Sequence, residues 1–130
     1  MKLTKLFAAV LLLTTVAMVS CKSKTAKDLI VNKWKVTNIS GSQAAQMSDS
    51  VKTQIYSTAT MEFTKDGKFV SAGMGPTKGG TYSLSEDGKT LTTTDEGSST
   101  PDILAIDEIS KDKMVVEDKK GEMKVTFAVK

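Results

Sequence analysis

Hydrophobic residues follow two different patterns along the chain. Residues 6–19 form an apolar run that is broken only by Thr14 and Thr15. From residue 31 onward, apolar and polar residues alternate over short segments, which is typical of half-buried β-strands. The pattern therefore predicts a leading apolar segment followed by a domain rich in short strands.

Eight strand-like segments follow one another, and turn residues separate most of them. Between the first and the second, apolar residues recur at three- and four-residue spacing and predict one helix over residues 43–56, with Ser42 or Ser48 as its cap. The predicted strands are residues 34–39, 58–64, 68–73, 81–85, 89–95, 102–109, 113–117 and 123–129.

Two Asp-Gly pairs, at residues 66–67 and 87–88, predict hairpins between neighbouring strands. This dipeptide favours two-residue loops with positive φ, and a two-residue loop fixes which residues face each other. The apolar residues of both hairpins then share one face. The predicted pairs are Phe63 with Val70, Met61 with Ala72, Leu84 with Leu91 and Tyr82 with Thr93.

Eight consecutive strands can close on themselves and leave no exposed sheet edge. A two-sheet sandwich is the alternative, but it usually needs longer crossings than this chain provides. We therefore expect an all-β fold, an eight-stranded antiparallel up-and-down barrel with one short helix between the first and second strands. A barrel of this size is either filled by side chains or holds one small ligand.

The leading segment has the layout of a secretory signal peptide, with Lys2 and Lys5 before the apolar run. As a helix, residues 6–19 would span about 21 Å, which is short of a bilayer core of about 30 Å. Residues 18–21, Met-Val-Ser-Cys, resemble the lipobox of bacterial lipoproteins, and this resemblance implies that Cys21 becomes the lipidated first residue. We expect a signal peptide over residues 1–20, a lipidated flexible tether over 21–28 and the barrel domain over 29–130.

Composition excludes several functional classes. The net charge of +3 falls to +1 without Lys2 and Lys5, and the chain has no arginine, which argues against a nucleic-acid partner. It has no histidine and one cysteine, so zinc and Cys–His chemistry are not expected. Its acidic pairs, such as Asp95 and Glu96, point to opposite faces of a strand. We therefore expect no catalytic residue, no metal and no cofactor.

Five stretches together resemble the small lipocalin-like lipoproteins of Bacteroidota, which belong to the calycin group. The resemblance implies a barrel that is closed at one end by Trp34, with Asn32 in place of the family's glycine. Lipocalins cover this tryptophan with an arginine, and we expect Lys124 or Lys130 to take its place. The stretches are residues 32–36, 61–70, 79–95, 103–117 and 124–130.

Two functions remain open from the sequence. In the first, the barrel of a membrane-anchored protein binds a small hydrophobic or amphipathic molecule, and residues 74–80 form either a gate or a plain hairpin connection. In the second, the barrel is filled and its surface binds a protein or glycan in the cell envelope. Residues 103–106 are apolar on both faces of their strand, and their outer face is either buried under the helix or exposed as an interaction patch. The ligand-binding candidates are Met61, Phe63, Val70, Tyr82, Leu84, Leu91, Met114, Val125 and Phe127.

The residues after the cysteine favour one location. In many bacterial lipoproteins an Asp directly after the cysteine marks the inner membrane, whereas this chain has Lys22. Some Bacteroidota lipoproteins that reach the cell surface carry an acidic run there, whereas this tether is basic. We expect an outer-membrane protein that faces the periplasm, with the cell surface as the alternative.

Overall fold

The computed structural model describes residues 25–73 and 75–130. Eight antiparallel strands form a closed barrel, in which each strand pairs with its sequence neighbour and the last pairs with the first. The expected up-and-down barrel is thereby confirmed, and all eight of its strands lie within the described residues. The strands are β1 (Lys33–Ser40), β2 (Thr60–Phe63), β3 (Lys68–Ala72), β4 (Lys78–Leu84), β5 (Thr90–Asp95), β6 (Asp102–Ile109), β7 (Lys113–Asp118) and β8 (Lys124–Val129).

The connection between β1 and β2 is helical as expected, but two helices replace the single helix predicted over residues 43–56. Helix α2 (Ser42–Ala45) ends before a turn at residues 46–48, and helix α3 (Asp49–Thr58) begins after it. Ser48 caps α3, because its hydroxyl accepts a hydrogen bond of 3.3 Å from the Val51 N–H. A good capping residue inside the apolar repeat thus divides the helix.

A further helix, α1 (Ala26–Ile30), precedes β1 where a flexible tether was expected. Asp28 stabilises its start by accepting hydrogen bonds from the Thr25 N–H at 3.3 Å and hydroxyl at 3.0 Å. Ile30 is fully buried. This helix spans the predicted boundary at residue 28, and its buried residue Ile30 lies within the predicted domain 29–130. The signal peptide and Cys21 lie outside the described residues.

The β2–β3 hairpin has a three-residue loop, residues 65–67, in place of the predicted two-residue loop. The Thr64 N–H donates to the Lys68 carbonyl at 2.9 Å, and Gly67 adopts φ +81°. Phe63 therefore pairs with Phe69, and Met61 with Ser71. A shift of one residue moves every side chain of a strand to the other face. The predicted pairs Phe63–Val70 and Met61–Ala72 are wrong for this reason.

The β4–β5 hairpin has the predicted register, with Leu84 opposite Leu91 and Tyr82 opposite Thr93. Its closing pair joins the Ser85 N–H to the Thr90 carbonyl at 3.0 Å, so the loop covers residues 86–89. A four-residue loop preserves the same facing pairs as a two-residue loop, because both loops add an even number of residues.

Aspartates organise these two turns through their side chains. The Thr64 hydroxyl donates to Asp66 and lowers the pKa of that carboxyl below its usual range. The Ser85 hydroxyl lowers the pKa of Asp87 in the same way, and the Lys89 N–H also donates to Asp87 at 3.0 Å. The two repeats of the Asp-Gly motif thus use a preceding hydroxyl to hold the aspartate.

One end of the barrel is closed by a core around Trp34. This side chain is fully buried, and its indole N–H donates to the Ile30 carbonyl at 2.9 Å. Phe63 packs against the ring of Tyr82 with centroids 4.9 Å apart, edge to face. The expectation that Lys124 covers Trp34 is wrong, because the Lys124 ammonium lies 3.0 Å from Asp107 on the outer surface.

Candidate functional site

The barrel contains an apolar cavity of about 350 Å³ on the side away from Trp34. All its lining residues except Thr60, Ser71 and Asp118 are hydrophobic. The lining residues are Val36, Ile39, Met47, Ile55, Ala59, Thr60, Met61, Ser71, Leu91, Leu104, Met114, Val116, Asp118, Met123, Val125 and Phe127.

Strand alternation brings these side chains to the inside. On β7 and β8, Met114 faces Phe127 and Val116 faces Val125 across the ladder. Leu91 and Leu104 form the corresponding pair on β5 and β6. Because the two residues of a facing pair lie on the same side of the sheet, the side chains of each pair lie next to each other in the apolar wall.

Four methionines line the cavity: Met47, Met61, Met114 and Met123. Methionine has an unbranched side chain and a polarizable sulfur, so it changes shape at low cost and suits varied apolar partners. Met114 is fully buried, whereas the other three are half-buried. The cavity wall is therefore tightly packed at Met114 and can change shape at the other three methionines.

Helix α3 and the turn before it cover the cavity as a lid, with Met47 and Ile55 directed into it. No residue of α3 is fully buried. The Ile39 N–H donates to the Tyr56 hydroxyl at 3.2 Å. The Thr58 hydroxyl shares its single hydrogen between the Gln54 carbonyl at 2.7 Å and the Gly73 carbonyl at 3.0 Å. The bonds from Ile39 and to Gly73 join the lid to β1 and to the β3–β4 loop.

A second recess, of about 380 Å³, adjoins the cavity at the open end of the barrel. The two spaces share four lining residues, Met61, Ser71, Leu104 and Asp118, so we call the second recess the vestibule. Its other lining residues are Phe69, Pro76, Lys78, Thr93, Asp95, Asp102 and Ile103. The arrangement is that of an apolar chamber beneath a charged entrance.

Comparison with known proteins identifies the family. Residues 30–116 match the family model of a lipocalin-like domain. The chain belongs to this family. A crystal structure of a DUF4847 family protein from Bacteroides vulgatus is similar, with a TM-score of 0.55 and 12% identity over 77% of this chain and 93% of that one. This likeness shows the fold, and a search of curated proteins found no match.

Membership in the lipocalin-like family agrees with the chemistry of the site. Lipocalin-like domains generally bind small hydrophobic molecules and do not catalyse reactions. Among residues 25–73 and 75–130, no group of three acidic, cysteine or histidine side chains is arranged to hold a metal ion. Within the same residues, no helix has the length and apolarity needed to cross a membrane.

The lipocalin-like domain places the nine sequence candidates in three locations. Met61, Leu91, Met114, Val125 and Phe127 line the cavity. Phe63 is buried near Trp34, and Tyr82 and Leu84 lie at the closed end, where they border an outer groove beside α1. Val70 is the error: it is 42% exposed on the outer surface, and Phe69 occupies the inward position.

Part of the cavity wall was not among the predicted ligand-binding residues, for two reasons. Leu104 and Ile106 face inward and supply part of the wall and the core, whereas Ile103 and Ala105 face outward and are exposed. Met47 is contributed by the helical connection, where an apolar stripe was visible but its target was not. The apolar residues were visible in the sequence in both cases, but without the strand register the direction of their side chains could not be predicted.

Proposed function

We propose that this lipocalin-like protein binds a small hydrophobic or amphipathic molecule inside its barrel while anchored to the bacterial envelope through Cys21. The observation that carries the first part is the apolar cavity of about 350 Å³. Protein interiors normally contain few spaces larger than a water molecule. An apolar cavity of about 150 Å³ already suffices to bind benzene.

Burial of apolar surface drives the binding in this proposal. A hydrophobic group gains about 25 cal/mol for each Å² that it removes from water. The half-buried methionines Met47, Met61 and Met123 can adjust to its shape without a change in the barrel itself. We infer a site that selects by size and apolarity more than by directed hydrogen bonds.

The test compares two identical substitutions on opposite faces of the barrel. Val125→Phe adds a ring to the cavity wall, whereas Val70→Phe adds the same ring to the outer surface. The proteins are residues 21–130 with Cys21→Ser, and native mass spectrometry measures co-purified molecules and added decanol. We expect wild type and Val70→Phe to retain ligand and Val125→Phe to lose at least tenfold in affinity.

Two results would contradict the binding proposal. A wild-type protein that carries no extra mass and takes up no apolar probe has no accessible site. Equal binding by Val125→Phe and Val70→Phe, both shown to be folded by circular dichroism, would place the ligand outside the barrel.

The anchor is supported by the lipobox-like residues 18–21 and by the single cysteine in the chain. In cells that express the full chain, we expect a palmitate analogue to label the wild type and Ser23→Ala but not Cys21→Ser. Separation of inner and outer membranes tests the proposed outer-membrane location, and protease treatment of intact cells tests the periplasmic side. Labelling that persists in Cys21→Ser would refute the anchor.

A further inference from the structure

The vestibule carries a net negative charge directly above the apolar cavity. Its titratable side chains are Asp95, Asp102, Asp118 and Lys78, which give three carboxylates and one ammonium. Two further lysines, at positions 119 and 120, line a separate groove on the outer surface of β6 and β7. A molecule that enters the barrel therefore passes an acidic boundary.

Strand periodicity places these carboxylates in one tier. Asp102 lies two residues before the cavity-lining Leu104 on β6, and Asp118 lies two residues after Val116 on β7. Both spacings keep the side chain on the inner face. Asp95 follows the inward Thr93 by the same interval on β5. The acidic tier thus stands one step above the apolar wall on three consecutive strands.

These carboxylates are not neutralised by the neighbouring lysine. The ion pairs within 4.0 Å among the described residues join other groups, and Lys78 takes part in none of them. Asp118 uses one carboxylate oxygen, Oδ1, to accept from the N–H groups of Glu122 at 2.7 Å and Met123 at 3.1 Å. Within residues 25–73 and 75–130, its second oxygen and the carboxylates of Asp95 and Asp102 accept no side-chain hydrogen bond and form no ion pair.

Thr93 adds a further polar group to the three carboxylates of the vestibule. It is the buried polar residue of the core, with 5% of its surface exposed, and it lines the vestibule. Its hydroxyl forms no hydrogen bond with any other described residue and is accessible from the vestibule, since none of the fully buried side-chain oxygens and nitrogens of the described residues lacks a partner. A ligand group that donates hydrogen bonds would satisfy it together with the carboxylates.

We propose that the barrel binds an amphiphile with a cationic amine head, with the tail in the apolar cavity and the head at Asp95, Asp102 and Thr93. This inference rests on the proposed ligand-binding function and adds the class of head group. An ammonium has donors but no acceptor, which complements a tier of acceptors. A fatty-acid carboxylate would instead meet like charges at the entrance.

The experiment compares three probes that share a ten-carbon chain and differ in the head: decylamine, decanol and decanoate. Affinities are measured at pH 7.5 by isothermal titration calorimetry on residues 21–130 with Cys21→Ser, since the described residues form the complete barrel. We expect decylamine to bind at least tenfold more tightly than decanoate, with decanol between them. Raising the salt concentration should reduce this ratio, because the vestibule is open to solvent.

Matched variants locate the source of the preference. Asp95→Asn combined with Asp102→Asn should reduce the ratio of amine to carboxylate affinity at least threefold, with a smaller effect on the affinity for uncharged decanol. Asp112→Asn removes a charge from a turn at the opposite end of the barrel and should leave the ratio intact. Val125→Phe should weaken all three probes alike.

The outcomes separate this inference from the function on which it rests. If decanol binds but decanoate binds as tightly as decylamine, the inferred cationic head group is wrong and the proposal of an apolar ligand in the cavity is retained. If the double variant leaves the ratio unchanged, the acidic tier does not contact the head group. If none of the three probes binds, both proposals fail.

Discussion

Trp34 joins the closed end of the barrel to the preceding helix through one buried hydrogen bond. Its ring fills the space between the strands, and its indole N–H satisfies the carbonyl of Ile30, which is itself fully buried. A buried carbonyl without a donor costs about 1–3 kcal/mol. The residue therefore stabilises both β1 and α1, which links the start of the domain to its core.

Substitution of Trp34 by phenylalanine tests this link. We expect a loss of about 2–4 kcal/mol in the free energy of unfolding, from the orphaned carbonyl and the lost volume. Urea titration followed by circular dichroism measures it, since the variant lacks the chain's single tryptophan. Lys35→Ala, on the exposed neighbour, should change stability by less than about 0.5 kcal/mol. A loss below about 1 kcal/mol for Trp34→Phe would contradict this account.

Tyr82 connects stability to alkaline pH. Burial raises the pKa of its hydroxyl above the usual value near 10, and the charge of Asp66 adds to the shift. Its hydroxyl donates to the Thr64 carbonyl at 2.7 Å, and only the protonated form can do so. The contribution is therefore fully present below pH 10 and is lost as the pH rises through the folded-state pKa.

We expect the unfolding free energy of the wild type to fall above pH 10 more steeply than that of Tyr82→Phe. At pH 7 the variant should lose about 1 kcal/mol with the hydrogen bond. Urea titrations at a series of pH values measure both effects, and Tyr56→Phe, which retains Tyr82, serves as the control. Parallel pH curves for the wild type and Tyr82→Phe would show that Tyr82 does not carry this dependence.

Loop length within one hairpin decides which face of β3 points inward. The sequence predicted the strands and the Asp-Gly turns, and both are present. It could not distinguish a two-residue loop from a three-residue loop, because Gly at positive φ suits either. The register of β4–β5 was predictable because its loop has an even length, and that of β2–β3 was not. This difference in loop length is the reason that Phe69, and not Val70 as predicted, faces inward.

The lid depends on a close approach between Gly73 and the end of α3. Gly73 adopts φ +86°, and a Cβ atom there would lie 2.1 Å from the carbonyl oxygen of Thr58. The loop therefore fits against the lid only when position 73 has no side chain. Gly75 has a similar φ of +106°, but a Cβ atom there would have no neighbour within 4 Å.

This pair separates backbone strain from contact with the lid. Gly75→Ala should cost about 1–2 kcal/mol through strain alone. Gly73→Ala should cost at least about 1 kcal/mol more and should speed the release of a bound apolar probe severalfold, as measured by stopped-flow fluorescence. Equal costs for the two variants, with equal release rates, would show that the Gly73 contact does not hold the lid.

At the scale of the whole molecule, α1 would set the orientation of the protein if, as proposed, it is anchored at Cys21. Four peptide units separate Cys21 from Thr25, a reach of at most about 14 Å. Because α1 lies at the closed end, a lipid on Cys21 would hold that end towards the membrane and turn the vestibule towards the aqueous side. The ligand would then enter from solution and not laterally from the bilayer.

Fluorophores at the two ends of β6 test this orientation. Lys111→Cys places a label in a turn at the closed end, and Ser99→Cys places one in a turn at the open end. On lipidated protein in vesicles, we expect a quencher carried by the lipid headgroups to quench the label at position 111 more strongly. Stronger quenching at position 99 would reverse the orientation, and equal quenching would show that the domain has no fixed orientation.

The order of the eight strands followed from local patterns, whereas the cavity did not. The alternation of apolar and polar residues and the turn residues are local signals that extend over a few positions, so the sequence predicts where the strands begin and end. The volume of the cavity depends on how side chains from all eight strands and the lid fit together. The sequence alone therefore did not distinguish a filled barrel from a barrel with a cavity. Met47 illustrates the difference, because its apolar position was visible but its place in the cavity wall required the complete barrel.

The four methionines that make the cavity adaptable also expose it to oxidation. An oxidant that enters through the vestibule would convert a thioether into a polar sulfoxide, which disrupts an apolar wall. The half-buried sulfurs of Met47, Met61 and Met123 should react before that of the fully buried Met114. In the proposed complex a bound tail would cover all four, so an occupied barrel should resist oxidative damage better than an empty one.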